Sequence, residues 1–331
     1  MPEWDESLSH FLGREETLAD FVNGIVYKGN KIIHRDQVLD VQRAYEVNLH
    51  ERCGGKKILR RKRDVIKAIH RNGHFVIFAV ELQKLIHYFM PLRVTEYDLC
   101  ELLRQREEQV QRHLQESDLQ GAQEYLSKGK QGERITPVVT IVLNLGERWD
   151  AARSLYELYD MEAVDEVMRP MLLNHELNVV ELTQLDENCF ETGLRELIGL
   201  MKRKDDKKAM LAFYEENQDR FREMDAEAFD VICRLLNMKQ LLKLRETKKT
   251  EIERKRGKVD MCRAFDEILQ DKKEEGIRIG EKTGEARGEK RGEKRMRNLI
   301  GLLMKDGRTE DVLSAAQSVS ACRKLYQEYG I

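Results

Sequence analysis

Two neighbouring segments of the chain carry the apolar and polar pattern of β-strands. Residues 58–69 (ILRRKRDVIKAI) alternate and are basic, whereas residues 74–85 (HFVIFAVELQKL) are almost continuously apolar. The segment between them ends in Asn72-Gly73, which is a strong signal for a two-residue hairpin turn. The pattern therefore predicts an antiparallel hairpin within a sheet.

Patterns elsewhere predict helices and further strands around this hairpin, and so an α/β core. Pro91 is expected to interrupt the chain after the hairpin, with Thr95 as a possible N-cap of the helix that follows. The predicted elements, in chain order, are a helix at 14–27, a first strand within 36–50, the hairpin, a helix from about 95 to 115, a buried strand at 137–145 and a short edge strand at 178–182.

Acidic and amide side chains fall at matching places on the two hairpin strands. Because side chains alternate along a strand, Glu81 and Gln83 share a face, and Asp64 on the neighbouring strand can point into the same space. Two carboxylates suit Mg²⁺ or another hard divalent cation. Such an ion activates water and neutralises charge during phosphodiester cleavage. The alternative is that these acids are solvated or paired with a nearby Lys or Arg.

Basic residues surround Asp64, which is the only acid between Arg52 and Arg71. A basic strip beside a metal site suits a polyanionic substrate. In a continuous strand Arg60 and Lys62 would share the face of Asp64, which makes them candidate nucleic-acid contacts. The alternative is a solvated edge strand that its charges protect from aggregation.

Several motifs, in order, resemble one nuclease family. KRDVIK, AVELQ and HYFMPLRVTEYD, with flanking matches at 16–33 and 135–161, are similar to the recombination-promoting nucleases (Rpn, or YhgA-like putative transposases). This family is a branch of the PD-(D/E)XK nuclease superfamily, and the resemblance covers most of the chain. It implies a small mixed sheet flanked by helices, and a Mg²⁺-dependent DNA endonuclease that hydrolyses phosphodiester bonds.

The resemblance also implies roles for individual residues. Asp64 and Glu81 correspond to the two metal-binding acids, and Asp64, Glu81 and Gln83 form the predicted catalytic set. The usual Lys of the superfamily is Gln83 here, which orients groups only through hydrogen bonds. This departure keeps open a second function, that of a catalytically weak or inactive nuclease-derived protein for DNA binding or assembly.

Two further positions are weaker candidates. Arg93 resembles a family Arg that lies close to the catalytic strand, and it is a candidate nucleic-acid contact or the partner of an acid such as Glu96. Asp20 is a possible additional acidic ligand on the first helix, or simply an exposed residue.

Composition restricts the partners of the chain. Charged residues make up 36% of the chain but the net charge is only −2, so a DNA-binding surface has to be a local patch. The sequence shows no apolar run of the roughly 20 residues that a membrane span needs. The six cysteines are dispersed, the nearest pair being Cys233 and Cys262, which argues for free thiols and against a structural zinc site. The expected compartment is the cytoplasm.

The later part of the chain is α-helical in pattern and highly charged. Glycines recur at every fourth position from Gly276 to Gly292. On a helix they would leave a groove that another helix can approach, hence a possible homo-oligomer, but each Gly also costs about 1 kcal/mol of helix stability. The predicted parts are a PD-(D/E)XK-like core at 10–185, a helical extension packed on the core at 186–246, a charged linker or helix with the Gly-x-x-x-Gly repeat at 247–295, and a small helical tail at 296–331.

Overall fold

The predicted hairpin lies at the centre of a five-stranded mixed sheet in a computed structural model, which describes residues 3–41, 44–50, 56–247 and 257–331. The described strands are β1 (Val38–Asp40), β2 (Ala44–His50), β3 (Lys56–Lys62), β4 (Val65–Arg71), β5 (His74–Gln83), β6 (Val138–Asn144), β7 (Asn178–Glu181), β8 (Met224–Asp225) and β9 (Lys258–Val259). The strand order in the sheet is β1-β4-β5-β6-β7; β4 is antiparallel to β1 and β5, whereas β6 and β7 are parallel to β5 and β6 respectively. The predicted α/β core is confirmed in this form, as are the first and edge strands.

The turn between β4 and β5 forms as the sequence predicts. Asn72 and Gly73 have φ values of 52° and 78°, and Arg71 pairs directly with His74. Two successive residues with positive φ make a turn whose twist matches that of the flanking strands. This turn fixes the register in which Ile66 faces Ala79.

The prediction of one strand over residues 58–69 is wrong. Strand β3 ends at Lys62 and pairs only with β2, in a separate two-stranded ribbon, and the chain bends at Arg63 and Asp64 before β4 begins. The bend accompanies burial of the Arg63 side chain against other elements. Arg60 and Lys62 therefore do not share a strand with Asp64, and their side chains lie outside the described part of the chain.

Helices cover the sheet. The described helices are α1 (Glu3–Leu12), α2 (Glu15–Tyr27), α3 (Met90–Glu116), α4 (Gly121–Ser127), α5 (Leu194–Lys202), α6 (Lys207–Glu216), α7 (Gln218–Arg222), α8 (Ala226–Leu235), α9 (Lys239–Thr247), α10 (Met261–Lys305), α11 (Thr309–Gln317) and α12 (Val319–Glu328). Strand β6 packs through Val142 on Met90 and Val94 of α3, and the ribbon strand β2 also lies against α3. Lys67, which points to the other face of the sheet, lies 3.8 Å from Glu15 of α2.

The prediction that Pro91 interrupts the chain before a helix from Thr95 is also wrong. Helix α3 begins at Met90, with Pro91 in its first turn, where the N–H that proline lacks has no intrahelical partner to lose. Thr95 is no N-cap, because its hydroxyl donates to the carbonyl of Pro91 within the helix. The helix predicted at 14–27, by contrast, is confirmed as α2.

The chain divides into two compact units, Met1–Ala264 and Phe265–Ile331. The first contains the five-stranded sheet. The second has a small core of its own, in which Leu299 and Leu303 are buried with Ala315, Cys322 and Leu325. The sequence also offers an apolar face for self-association, formed by Leu299, Ile300, Leu302 and Leu303, but Leu299 and Leu303 pack against α11 and α12. The glycine repeat lies in helix α10, and added Cβ atoms at Gly280, Gly284, Gly288 and Gly292 would meet open space.

Because each unit has its own core, we expect a chain that lacks residues 276–331 to keep its sheet-containing unit folded. Urea unfolding followed by circular dichroism should show one cooperative transition with the same midpoint as the matching transition of the full chain. Light scattering on both chains measures whether the removed part mediates self-association. Loss of the cooperative transition would mean that the sheet needs the C-terminal unit.

Candidate metal centre

The carboxylate of Glu81 is completely buried near the end of β5. Among the described residues, neither of its oxygens accepts a hydrogen bond. Its nearest cations are Arg63, with Nη1 3.9 Å from Oε1, and Arg93, with Nη2 3.6 Å from Oε2. Both separations are too long for hydrogen bonds. Burying a carboxylate in this way costs folding free energy, and such groups cluster at functional sites.

Burial, together with the negative charge of Asp64, raises the pKa of Glu81 to about 8 against the opposing effect of Arg63 and Arg93. Most Glu81 side chains are therefore protonated at pH 7 in the metal-free protein. A bound divalent cation would reverse this preference, since it stabilises the ionised carboxylate.

Asp64 lies beside Glu81, at the start of the neighbouring strand. Its Oδ2 accepts a hydrogen bond of 2.8 Å from the backbone N–H of Leu82, and its own carbonyl accepts one of 2.5 Å from the hydroxyl of Ser9 in α1. Continuing the pairing of Ile66 with Ala79 by two residues brings Asp64 opposite Glu81. The structure thus brings the two predicted metal ligands together.

Gln83 follows Glu81 by two residues and therefore projects from the same face of β5. It is buried, and in the sheet register it faces Asn144 of β6. The side chain of Asn144 accepts a hydrogen bond from the N–H of Gly146 and donates one to the carbonyl of Glu147. The three predicted catalytic residues consequently lie on one side of the sheet, and the turn after β6 is held beside them.

Arg93 projects from the first turn of α3 towards this group. Its Nε donates a hydrogen bond of 3.0 Å to the Tyr97 hydroxyl, and 32% of its side chain is exposed. One guanidinium group thus contacts Glu81 and also reaches solvent. That placement is what a residue needs to meet a phosphate beside a buried carboxylate.

Arg63 belongs by sequence to the basic run that precedes Asp64. Its side chain is nevertheless completely buried, so it does not join a substrate-facing basic strip. Nη2 donates to Asp98 of α3 at 2.5 Å and Nη1 donates to the Thr140 hydroxyl of β6 at 2.8 Å. The Thr140 hydroxyl in turn donates to the same Asp98 oxygen. Thr140 is the one hydroxyl within the apolar strand VVTIVLN, a signal that was available in the sequence.

Tyr97 connects the two arginines. The guanidinium carbon atoms of Arg63 and Arg93 each lie 5.3 Å from the centre of its ring, a distance at which cations are attracted to the aromatic face. Glu81 therefore faces two positive charges that are held through one aromatic side chain.

Two other places in the described chain could be taken for metal ligands, but hydrogen bonds within the protein explain both. Asp20 accepts hydrogen bonds from the N–H groups of Glu191 and Thr192, so it anchors that segment and does not join Glu81. His113 lies near Glu116 and Asp118 at a spacing that a metal could bridge. Its two ring nitrogens, however, lie 2.6 Å from Asp118 and 2.8 Å from Glu133. Hydrogen bonds to these two carboxylates raise the pKa of His113, which favours the protonated ring and leaves no lone pair for a metal.

Comparisons of the chain with protein-family models, with curated proteins and with solved structures gave no match. In the described part of the chain, no helix has both the length and the apolar character required to cross a membrane. The nuclease resemblance therefore stays a prediction, which the geometry of the site has to support by itself.

Replacing Glu81 by Gln should stabilise the metal-free protein at high pH. The raised pKa of Glu81 means that the folded state holds an extra proton between pH 4.5 and 8, so the free energy of unfolding of the wild type falls as pH rises through this window. Glu81→Gln removes this loss. In EDTA the free energy of unfolding of this variant should exceed that of the wild type only slightly near pH 4.5, and by on the order of a few kcal/mol above pH 8.

Thermal and urea unfolding at pH 5 and 8.5 test this expectation, with Glu187→Gln as the control. Burial opposes ionisation of Glu187, but hydrogen bonds from Lys202 and Arg203 bring its pKa to about 2. Its stabilising effect is present above pH 4.5 and is lost as pH falls towards 2, so this variant should be less stable than the wild type at pH 8.5. A Glu81→Gln variant with no gain at pH 8.5 would contradict the burial of an ionisable, unsatisfied carboxyl group.

Replacing Arg63 by Met should destabilise the protein by about 3–5 kcal/mol, because it leaves the carboxylate of Asp98 buried without its cation. Arg93→Met is the matched control, and the partial exposure of Arg93 predicts a loss of about 1 kcal/mol or less. Urea unfolding of both variants at pH 7 measures the difference. Equal small losses would show that Arg63 does not support the buried acids.

Proposed function

We propose that the chain is a Mg²⁺-dependent DNA endonuclease of the recombination-promoting, mobile-element type within the PD-(D/E)XK superfamily, acting in the cytoplasm. The observation that carries the proposal is the buried carboxylate of Glu81, which accepts no hydrogen bond from the described residues and lies beside Asp64. Burial of this group without hydrogen-bond partners is unfavourable as it stands, and a divalent cation would stabilise the ionised carboxylate and supply the missing contacts.

The order of elements supports the same assignment. Helix α2, strand β1, the β4–β5 hairpin, helix α3 and strand β6 follow one another along the chain, and all four strands belong to one mixed sheet. An Asp at the start of one hairpin strand and Glu-x-Gln at the end of the other agree with the residues that carry the family resemblance. This arrangement supports the carry-over of the two metal-binding acids onto Asp64 and Glu81.

The donor set fits a hard cation. Asp64 and Glu81 would hold the ion, because Mg²⁺ prefers carboxylate oxygens and retains part of its water shell. The ion would supply Lewis-acid chemistry at the phosphate. Gln83 would orient the attacking water through its carboxamide, and Arg93 would meet a phosphate oxygen at the edge of the site. Arg60 and Lys62, on the ribbon beside α3, remain proposed contacts to the DNA backbone.

A second candidate function is that of a nuclease-derived DNA-binding or assembly protein with weak or no cleavage. Gln83 favours it, because a carboxamide carries no positive charge where the superfamily has Lys. The complete burial of Glu81 also favours it, because a substrate phosphate cannot approach this carboxylate without local opening. The two functions differ in whether Mg²⁺ produces strand breaks.

Nicking of supercoiled plasmid, with Mg²⁺ and with EDTA, tests the proposal. We expect cleavage by the wild type in Mg²⁺ only, and none by Asp64→Asn, which keeps an oxygen for the Leu82 N–H but loses the negative charge. DNA binding by this variant should remain close to that of the wild type. Asp205→Ala, at an exposed turn, is the control and should cleave normally. Absence of cleavage by the wild type, with DNA binding retained, would favour the second function.

A further inference from the structure

A patch of exposed apolar side chains lies directly after the strand that carries Glu81 and Gln83. Leu85 is 86% exposed, Tyr88 71%, Phe89 58% and Leu92 56%. These residues belong to the loop 84–89 and the first turn of α3, and we call them the apolar rim. Large apolar groups clustered on a surface usually mark a binding site.

A cavity of about 360 Å³ opens beside the apolar rim. Its volume falls within the range of about 300–1,000 Å³ that is usual for small-ligand sites. The cavity is lined by His87, Phe89, Leu92, Arg93, Glu96 and Tyr97.

Arg93 connects this cavity to the candidate metal centre. Arg93 lines the cavity, and its guanidinium group lies 3.6 Å from Glu81 and donates a hydrogen bond to the Tyr97 hydroxyl. A group in the cavity is therefore one side chain away from the carboxylate that would hold the cation. A base in the cavity and a phosphate at Arg93 can therefore belong to the same or to adjacent nucleotides.

The lining of the cavity matches the chemistry of a nucleobase. Phe89 and Leu92 offer apolar surfaces for the flat face of a ring, and bases stack on exposed aromatic side chains without regard to sequence. His87 offers a hydrogen-bonding group for a base edge, while Arg93 offers a positive charge for a phosphate. A polyanion is favoured over an apolar peptide as the occupant, because five of the seven residues of the ribbon strand β3 are basic. These are Lys56, Lys57, Arg60, Arg61 and Lys62.

We infer that this cavity binds an unpaired base next to the phosphate that is cleaved, so that the substrate is DNA with unpaired bases at the cut site. A base within a continuous duplex is stacked and paired, and it reaches such a cavity only after it has left the helix. Single strands and single-stranded flaps present such bases without the breaking of base pairs, whereas continuous duplex DNA does not. The inference names the substrate class of the proposed nuclease and rests on that function.

Fluorescence anisotropy with the full chain tests the inference in EDTA, so that binding is measured without cleavage. The probes are a fluorescein-labelled single-stranded oligonucleotide and the matching duplex. The wild type should bind the single strand more tightly than the duplex. Phe89→Ala should weaken single-strand binding roughly tenfold, in line with the loss of one stacked base, and leave duplex binding unchanged.

Two matched variants make the result specific. Phe89→Tyr keeps an aromatic ring and should bind the single strand as the wild type does. Tyr125→Ala removes an aromatic side chain that is 65% exposed on α4, outside the cavity, and should also have no effect. Circular dichroism establishes that each variant is folded.

Equal affinity for both probes, or single-strand binding that Phe89→Ala leaves unchanged, would overturn the inference. A change in molecular mass with Phe89→Ala in light scattering, without a change in DNA binding, would assign the apolar rim to an interface between copies of the chain and also overturn it. The proposed nuclease function fails separately, if no DNA is cleaved in Mg²⁺ while the effect of Phe89 on single-strand binding persists.

Discussion

The buried carboxylate of Glu81 is the constraint on which the candidate site depends. Arg63 and Arg93 lie 3.9 and 3.6 Å away, close enough to lower the cost of a negative charge and too far to donate hydrogen bonds to it. Asp64 adds a second negative charge. A protein selected only for stability would carry a neutral residue at this position. The proposed divalent cation would offset the charge of both acids.

Hydrogen bonds among three neighbouring elements enclose this carboxylate without reaching it. Arg63 precedes β4, Asp98 belongs to α3 and Thr140 to β6, and their mutual hydrogen bonds join these elements beside Glu81. Helix α3 also carries Arg93 and Tyr97, so one helix supplies both the buried acid that binds Arg63 and the half-exposed cation at the edge. The fold and the site therefore share the same interactions.

The sequence predicts those parts of the structure that depend on neighbouring residues. Asn72-Gly73 specifies the hairpin, and the hairpin brings Asp64 towards Glu81. The environment of Arg63 depends instead on partners 35 and 77 residues away along the chain. Nothing in the neighbouring sequence distinguishes Arg63 from the other basic residues of its run. The position of Pro91 in its helix is also hard to predict from sequence. Proline interrupts the interior of a helix but is favoured in its first turn.

A structure determined from crystals grown with Mn²⁺, as an anomalous-scattering substitute for Mg²⁺, tests the central claim most directly. The account predicts an anomalous peak bound by the carboxylates of Asp64 and Glu81, with Arg93 displaced from its contact with Glu81. A map without a peak at these residues, in which Glu81 still faces Arg63 and Arg93 at saturating Mn²⁺, would contradict it.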